Sequence, residues 1–406
     1  MLSKLEPDEE RLDSVYLRND DIIVITEGVW NSSKRMRHKM AQAWARQGNR
    51  VLWIEQSPFP VKGWVKGGQG IRAVKGDLRQ VEERLWVGAM PLAFPGMYKG
   101  GRVGNTLKAV QRPWYLKRLY RYIKELHFSP RIVFLMQQAA RHDVLESITA
   151  PIKIYYSYDL YGYGGATAAS WKELETCCRT VDMTWSTSEA QRRLLSPFNP
   201  NTYHFPHAID LEWWERNCEQ LPPEYESIPS PRAVYTGVFQ KKVSLSLLVE
   251  VATARPQWSF VFVGAEGGNM DQALLTKLKQ KKNVHFLGHR NPDSLPGFIA
   301  GAEMLMLPYK TDWENAKFAG LALKFYEYLI SGNPILTTPY ADFETNNKEL
   351  LFIRQTPREW IEVLDGLRAL DSSDLRCRRQ ELARQNGYEQ RIEAQREVLE
   401  KWERSK

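Results

Sequence analysis

Short apolar runs alternate with helix-periodic segments along most of the chain, and that alternation predicts parallel sheets covered by helices. "DIIVIT" (Asp21 to Thr26) and "RVLWIE" (Arg50 to Glu55) read as strands on either side of a helical segment, "SKRMRHKMAQAWARQ", that ends at Gly48. Together they form one βαβ unit. Further strands are expected at "RIVFLM" (Arg131 to Met136), "IKIYYS" (Ile152 to Ser157) and "MTWST" (Met183 to Thr187). The pattern restarts with "AVYTGVF" (Ala233 to Phe239), a helix from Ser244 to Thr253, "SFVFVG" (Ser259 to Gly264), "NVHFLG" (Asn283 to Gly288) and "MLMLPY" (Met304 to Tyr309).

In "GLALKFYEYLISGNPILTT" a helix is predicted from Leu321 to Ser331, closed by Gly332 and stopped by Pro334, with a strand from Ile335 to Thr338 behind it. Lys324 therefore falls in the first turn, among N–H groups that lack helical partners and at the positive end of the helix dipole. A cation there is unfavourable unless an anion joins it. The last segment, "EQRIEAQREVLEKWERSK", places Ile392, Val398, Leu399 and Trp402 where they can form a packing stripe.

A chain of 406 residues, 43% of them hydrophobic, exceeds one compact core, so two domains are expected. "RNCEQLPPEYESIPSPR" is polar, proline-rich and aperiodic, and reads as the linker. The expected division is a first domain over 1–211, a linker over 212–231, a second domain over 232–385 and a terminal helix over 386–406 that packs blandly or crosses back onto the first domain. The fold class is α/β, with two Rossmann-like domains facing each other across a cleft.

The net charge of +8 makes anionic partners plausible without choosing among nucleic acid, lipid head groups and small phosphates. Four cysteines without C-x-x-C spacing support neither a disulfide framework nor a zinc site, and suit a reducing cytoplasm. The charged start lacks a signal-peptide core, and no run of about 18 apolar residues occurs, so neither export nor membrane spanning is expected. "VGAEGGN" and "TEGVWNSSK" lack G-x-G-x-x-G spacing, which disfavours a nicotinamide or flavin cofactor.

Gly237, Lys241 or Lys242, Tyr309, Lys324 and Glu327 all fall at C-terminal strand ends or helix starts, the edge at which open α/β sheets bind ligands. A diphosphate at the helix start would satisfy its N–H groups, with Lys324 neutralising charge and Glu327 accepting from vicinal ribose hydroxyls. The bland alternative is a surface Lys324–Glu327 pair at i, i+3, worth at most a few tenths of a kcal/mol.

The run from "AVYTGVF" to "LALKFYEYLISGNPILTT" resembles the donor-binding domain of GT-B glycosyltransferases, especially bacterial enzymes of teichuronic acid and exopolysaccharide synthesis. "EGVWNSSKRMRHKMAQAWARQGNRVLWIE", "TVDMTWSTSEA" and "FPHAIDLEWW" extend the resemblance more loosely through the first half. It implies a nucleotide-sugar donor, a UDP-sugar being favoured, held by the second domain through Lys324 and Glu327, an acceptor on the first domain, and a terminal helix returning to the first domain. It implies no metal, which agrees with the lack of a D-x-D motif. Many relatives carry a glutamate eight positions before the second one; here that position is Ala319, so the sugar contacts it makes do not carry over.

Asp159, in "YYSYDLYGYGG", resembles in position the acidic residue proposed as general base in the glucuronosyltransferase of xanthan-type synthesis, and reads equally as the cap of the next turn. His207 in "FPHAID" reads as a packing or hinge residue, while Glu27 and Trp30 are candidates for lining the acceptor side, Trp30 also as a staple of the neighbouring helix. Pro113 is expected to open an amphipathic helix bearing Trp114, Tyr115, Leu119 and Ile123. Its basic face is either simply solvated or a peripheral contact to anionic lipid at the inner membrane face, which would suit a lipid-linked acceptor. The expected function is sugar transfer to a glycan or lipid-linked hydroxyl, with a nucleotide-sugar epimerase as the alternative. A nucleic-acid binding module ranks last, since no recognition motif supports it.

Overall fold

The computed structural model describes residues 16–27, 30, 36–56, 75–91, 93–94, 97, 101–136, 139–158, 168–268, 270–311, 321–339 and 348–406. Two sheets divide it. The first runs β3-β4-β2-β1-β5-β6-β7-β8, where β1 is Asp21–Glu27, β2 Arg50–Gln56, β3 Leu78–Glu82, β4 Leu85–Ala89, β5 Pro130–Met136, β6 Ile152–Ser157, β7 Met183–Ser186 and β8 Thr202–His204. All its pairs are parallel except the β3–β4 hairpin at one edge. The second runs β11-β10-β9-β12-β13-β14, wholly parallel, with β9 Arg232–Thr236, β10 Ser259–Val263, β11 Val284–Gly288, β12 Met304–Leu307, β13 Ile335–Thr337 and β14 Phe352–Ile353.

Both sheets are buried on two faces, so their central strands read as unbroken apolar runs. Ile22, Ile23, Val24 and Ile25 of β1 are all buried, and they divide between cores on opposite faces of the first sheet. In each sheet the first strand in chain order is flanked by the second on one side and by a later crossover strand on the other. The resulting switch points lie between β1 and β5 and between β9 and β12.

The predicted strands recur within two residues at most ends, but "AVYTGVF" stops being a strand at Thr236, because Gly237 takes a positive φ of 104°. The helix expected from Leu321 begins at Leu323, with Ala322 extended at its N-cap, and Lys324 stays in its first turn. Pro113 does not open a helix. It lies inside a helix of 25 residues, Gly101–Glu125, in which Tyr115 and Leu119 are buried while Trp114 faces solvent.

The stretch read as an aperiodic linker is ordered by packing: it carries a helix, Leu211–Asn217, and Trp214, Tyr225 and Ile228 join the core of the second domain. The Tyr225 hydroxyl donates to the Phe298 carbonyl at 2.7 Å. Its apolar anchors are too widely spaced for a sequence period to reveal them.

The helix Tyr388–Glu403 lies against the first domain. Tyr388, Ile392, Leu399 and Trp402 belong to that domain's core, the Trp44 indole donates to Gln395, and the Arg396 guanidinium donates to the carbonyls of Tyr16 and Leu17. Where the chain passes between domains, its two crossings pair side by side: Ile209 bridges Gly387, its N–H donates to the Asn386 carbonyl at 3.0 Å, and Tyr388 N–H returns a bond to the Ile209 carbonyl.

Candidate functional site

The second domain's switch point gathers Gly237 at the end of β9, the 238–244 loop, Tyr309 just past β12, and the start of the Leu323–Ser331 helix. Backbone bonds pin the loop on its far flank: Ser244 N–H donates to the Pro308 carbonyl at 2.7 Å and Lys310 N–H to the Lys242 carbonyl at 2.8 Å. Ala322 supplies no side-chain cap to the helix, and among the described residues no side chain accepts from its first-turn N–H groups, of which Phe325 N–H turns back to the Ala322 carbonyl at 2.8 Å.

Lys324 reaches back over β9. Its Nζ stands 3.9 Å from the Tyr235 ring centroid, and a Cβ built on Gly237 would lie 2.7 Å from it. Lys242 Nζ stands 4.9 Å from the centroid of Tyr309, a buried ring that backs both cations. Among the described residues the Lys324 ammonium has neither an ion pair nor a hydrogen bond, and the bland i, i+3 ion pair with Glu327 does not form. Burial pushes Lys324 well below the ordinary lysine value, and Lys242 pushes it further the same way. Burial raises Glu327, against the pull of Lys39 and Lys324. Lys39, on the Met36–Arg46 helix of the first domain, places a cation from across the domain junction within electrostatic reach of Glu327.

This is a site with half-buried positive charge, N–H donors that no side chain caps among the described residues, and a glycine where any side chain would intrude. Such a set stabilises an anion that approaches the backbone closely. Gly264, with a φ of 147°, is part of the same construction, since a Cβ there would lie 2.2 Å from the Gly237 carbonyl oxygen. Sequence reading singled out Gly237, after "VYT", and took Gly264 only as part of the strand-end cluster "VGAEGGN" that lacks dinucleotide-binding spacing.

The remaining candidates scatter. Lys241 is exposed on the turn and makes no hydrogen bond or ion pair among the described residues. Glu27 ends β1 at the first domain's switch point, while Asp159 lies outside the described residues. Trp30 is a staple: its N–H donates to Glu55 at 2.8 Å and its ring meets Trp53 and His38 edge-on. His207 lies beside the crossing, where its carbonyl accepts from Arg391; burial, with Arg391 and His204, pushes its imidazole down to about 4. A neutral ring at the junction serves packing.

Residues 230–368 match the sequence profile of the family described as "Glycosyl transferases group 1". A stretch of 104 residues is 28% identical to TuaH of Bacillus subtilis (strain 168), a protein named for glycosyl transfer in teichuronic acid biosynthesis; the match spans 26% of this chain and 25% of that one. Sucrose-phosphate synthase from Thermosynechococcus elongatus superposes with a TM-score of 0.67 at 12% identity, over 95% of this chain and 100% of that one. Anabaena HepE, solved with UDP and glucose, superposes with a TM-score of 0.61 at 11% identity, over 94% and 100%. WaaG, a glycosyltransferase of lipopolysaccharide biosynthesis, gives 0.55 at 16% identity, over 90% and 94%. At these identities the structural matches establish the GT-B fold, in agreement with the two sheets described above.

Proposed function

We propose that this chain of GT-B fold is a glycosyltransferase, moving a sugar from a nucleoside diphosphate sugar, UDP-linked by preference, to a hydroxyl of a glycan or lipid-linked acceptor. The observation that carries the reading is the Lys324 ammonium, unpaired among the described residues, beside a helix start that its N-cap residue does not cap, under a glycine, at the switch point of the domain that matches group 1 glycosyltransferases. A diphosphate supplies the missing anion. In the transfer, negative charge grows on the bridging oxygen of the leaving diphosphate, and Lys324, Lys242 and the helix N–H groups stabilise it from the chain's own resources, without a metal. Glu327, one turn along, accepts from the ribose hydroxyls.

On the acceptor side we assign the general base to Asp159, which takes the proton of the attacking hydroxyl. Calorimetry with UDP and GDP, followed by transfer assays with sugar nucleotides, tests the reading. The parent chain is expected to bind at least one of the diphosphates. Asp159→Asn is expected to bind it equally and to lose transfer; near-normal turnover removes Asp159 from the role, and binding of neither diphosphate removes the donor site.

The acceptor's lipid anchor has a matching surface. Val103, Val110 and Trp114 stand 73%, 54% and 60% exposed on one face of the Gly101–Glu125 helix, beside exposed Lys117 and Lys124, and Glu125 is that helix's only acidic residue. An apolar strip flanked by cations suits the interface of an anionic bilayer. Among the described residues no helix is long and apolar enough to cross one. Sedimentation with vesicles should rise with phosphatidylglycerol content and fall for Trp114→Ser; indifference to anionic lipid ends this part of the proposal.

A further inference from the structure

The first domain holds a second polar cavity that the donor chemistry does not use. It is an open recess of about 150 Å³, which is roughly ten water positions and room for one sugar ring. Its walls come from the Gly101–Glu125 helix, from the segment after β5 and from the helix Ala168–Thr180. The last two of these follow the C-terminal ends of β5 and β6, on the edge of the sheet where an open α/β domain receives a ligand.

The floor is a charge-balanced network. Lys108 Nζ lies 2.9 Å from one oxygen of Glu173, and His142 Nε2 lies 3.1 Å from the other, while His142 Nδ1 faces Glu146 at 3.0 Å. Burial pushes His142 down, but the hydrogen bonds to Glu173 and Glu146 outweigh it and hold the imidazole above its ordinary value. Both oxygens of Glu173 are thereby engaged, and it acts as a fixed support.

The groups left over point to the ligand. Asp143 has an ion-pair neighbour in the Arg141 guanidinium at 3.2 Å, yet neither carboxylate oxygen accepts a hydrogen bond among the described residues. Asn105 and Arg112 stand exposed at the rim without partners among those residues. Pro113, which has no N–H, deprives the carbonyl of Ala109 of its helical bond, and Ala109 lines the cavity. The walls thus offer a carboxylate, a carbonyl, an amide and a guanidinium around a small side chain. Carboxylates on the wall disfavour an anion, while the side-chain stems between the polar groups leave apolar surface for the C–H face of a ring. Vicinal hydroxyls, each both donor and acceptor, satisfy this mixture.

We infer that this cavity is a saccharide-binding site that holds one sugar residue of the acceptor, with Asp143, Arg112, Asn105 and the Ala109 carbonyl as its hydrogen-bonding groups. The inference rests on the glycosyl-transfer reading for the ligand's role, and on the cavity alone for its chemistry.

Saturation-transfer NMR on the full chain, with methyl glycosides of glucose, galactose and N-acetylglucosamine as probes, tests it. Ala109→Leu fills the space from an exposed helix position with a residue of nearly equal helix propensity, and leaves the charged network in place. At least one glycoside should give a signal with the parent protein and lose it in Ala109→Leu, with melting temperature and UDP affinity unchanged. Asp143→Asn should weaken the same signal. A signal that survives Ala109→Leu, no signal from any glycoside, or displacement of the glycoside by inorganic phosphate overturns the site. A parent protein that binds a glycoside but neither UDP nor GDP overturns the donor reading and not this one.

Discussion

Lys324→Met is expected to make the nucleotide-free protein more stable and at the same time to weaken nucleoside diphosphate binding by roughly thirty- to several-hundred-fold, the equivalent of about 2–4 kcal/mol for a desolvated charge contact. The two effects share one cause. In the free protein the ammonium has no ion-pair partner among the described residues, stands over the Tyr235 ring and is pushed well below its ordinary value by burial and by Lys242. Folding therefore sheds protons at this position. The unfolded chain binds more protons there, so stability rises as pH climbs from the depressed folded value towards the ordinary lysine value near 10.4. Methionine keeps the apolar stem and removes the charge, which should raise stability at neutral pH by about 1–3 kcal/mol and flatten that slope. A bound diphosphate raises the proton affinity of this group, so over the pH range between the free and bound values binding to the parent protein should take up protons and weaken with rising pH. Calorimetry in buffers of different ionisation enthalpy reads this directly. Unchanged affinity in Lys324→Met, or a less stable free protein, sinks the assignment.

The two glycines at the strand ends should fail in opposite ways. In Gly264→Ala the new methyl group meets backbone, the Gly237 carbonyl, at a φ of 147° that L residues rarely adopt. Left-handed strain and overpacking each cost about 1–3 kcal/mol, so a loss of about 2–6 kcal/mol is expected in denaturant unfolding. In Gly237→Ala the obstacle is the tip of a flexible side chain, Lys324 Nζ, which can swing aside. Stability should fall less, within the strain figure of about 1–3 kcal/mol, while diphosphate affinity falls sharply because the cation is displaced and the backbone is screened. The reverse order, with Gly237→Ala the less stable variant and fully competent in binding, would show that the pair does not form an anion cradle.

Much of this was legible because buried parallel strands announce themselves. Ile22 to Ile25, Phe260 to Val263 and Met304 to Leu307 are apolar throughout, and glycine and proline punctuate their ends. The β3–β4 hairpin was not, since its edge strand, "LRQVE", has no fully buried residue and so no burial pattern to betray it. Lys324 stood out for the opposite reason: a cation in a first helical turn contradicts local electrostatics, and such contradictions collect where function overrides stability. The cavity around Asp143 was invisible because its groups lie up to 68 positions apart, from Asn105 to Glu173, and only the fold assembles them. Pro113 was misjudged by a general preference for first-turn proline that says nothing about a proline tolerated mid-helix.

The paired crossings at Ile209 and Gly387 have a consequence for the order in which the chain is finished. The first domain is not a contiguous piece of sequence: Tyr388, Ile392, Leu399 and Trp402, which complete one face of its sheet, are made after the whole of the second domain. On the ribosome the domain that emerges first therefore waits, one flank uncovered, until its final helix is threaded back, and the second domain can close its core before the first does.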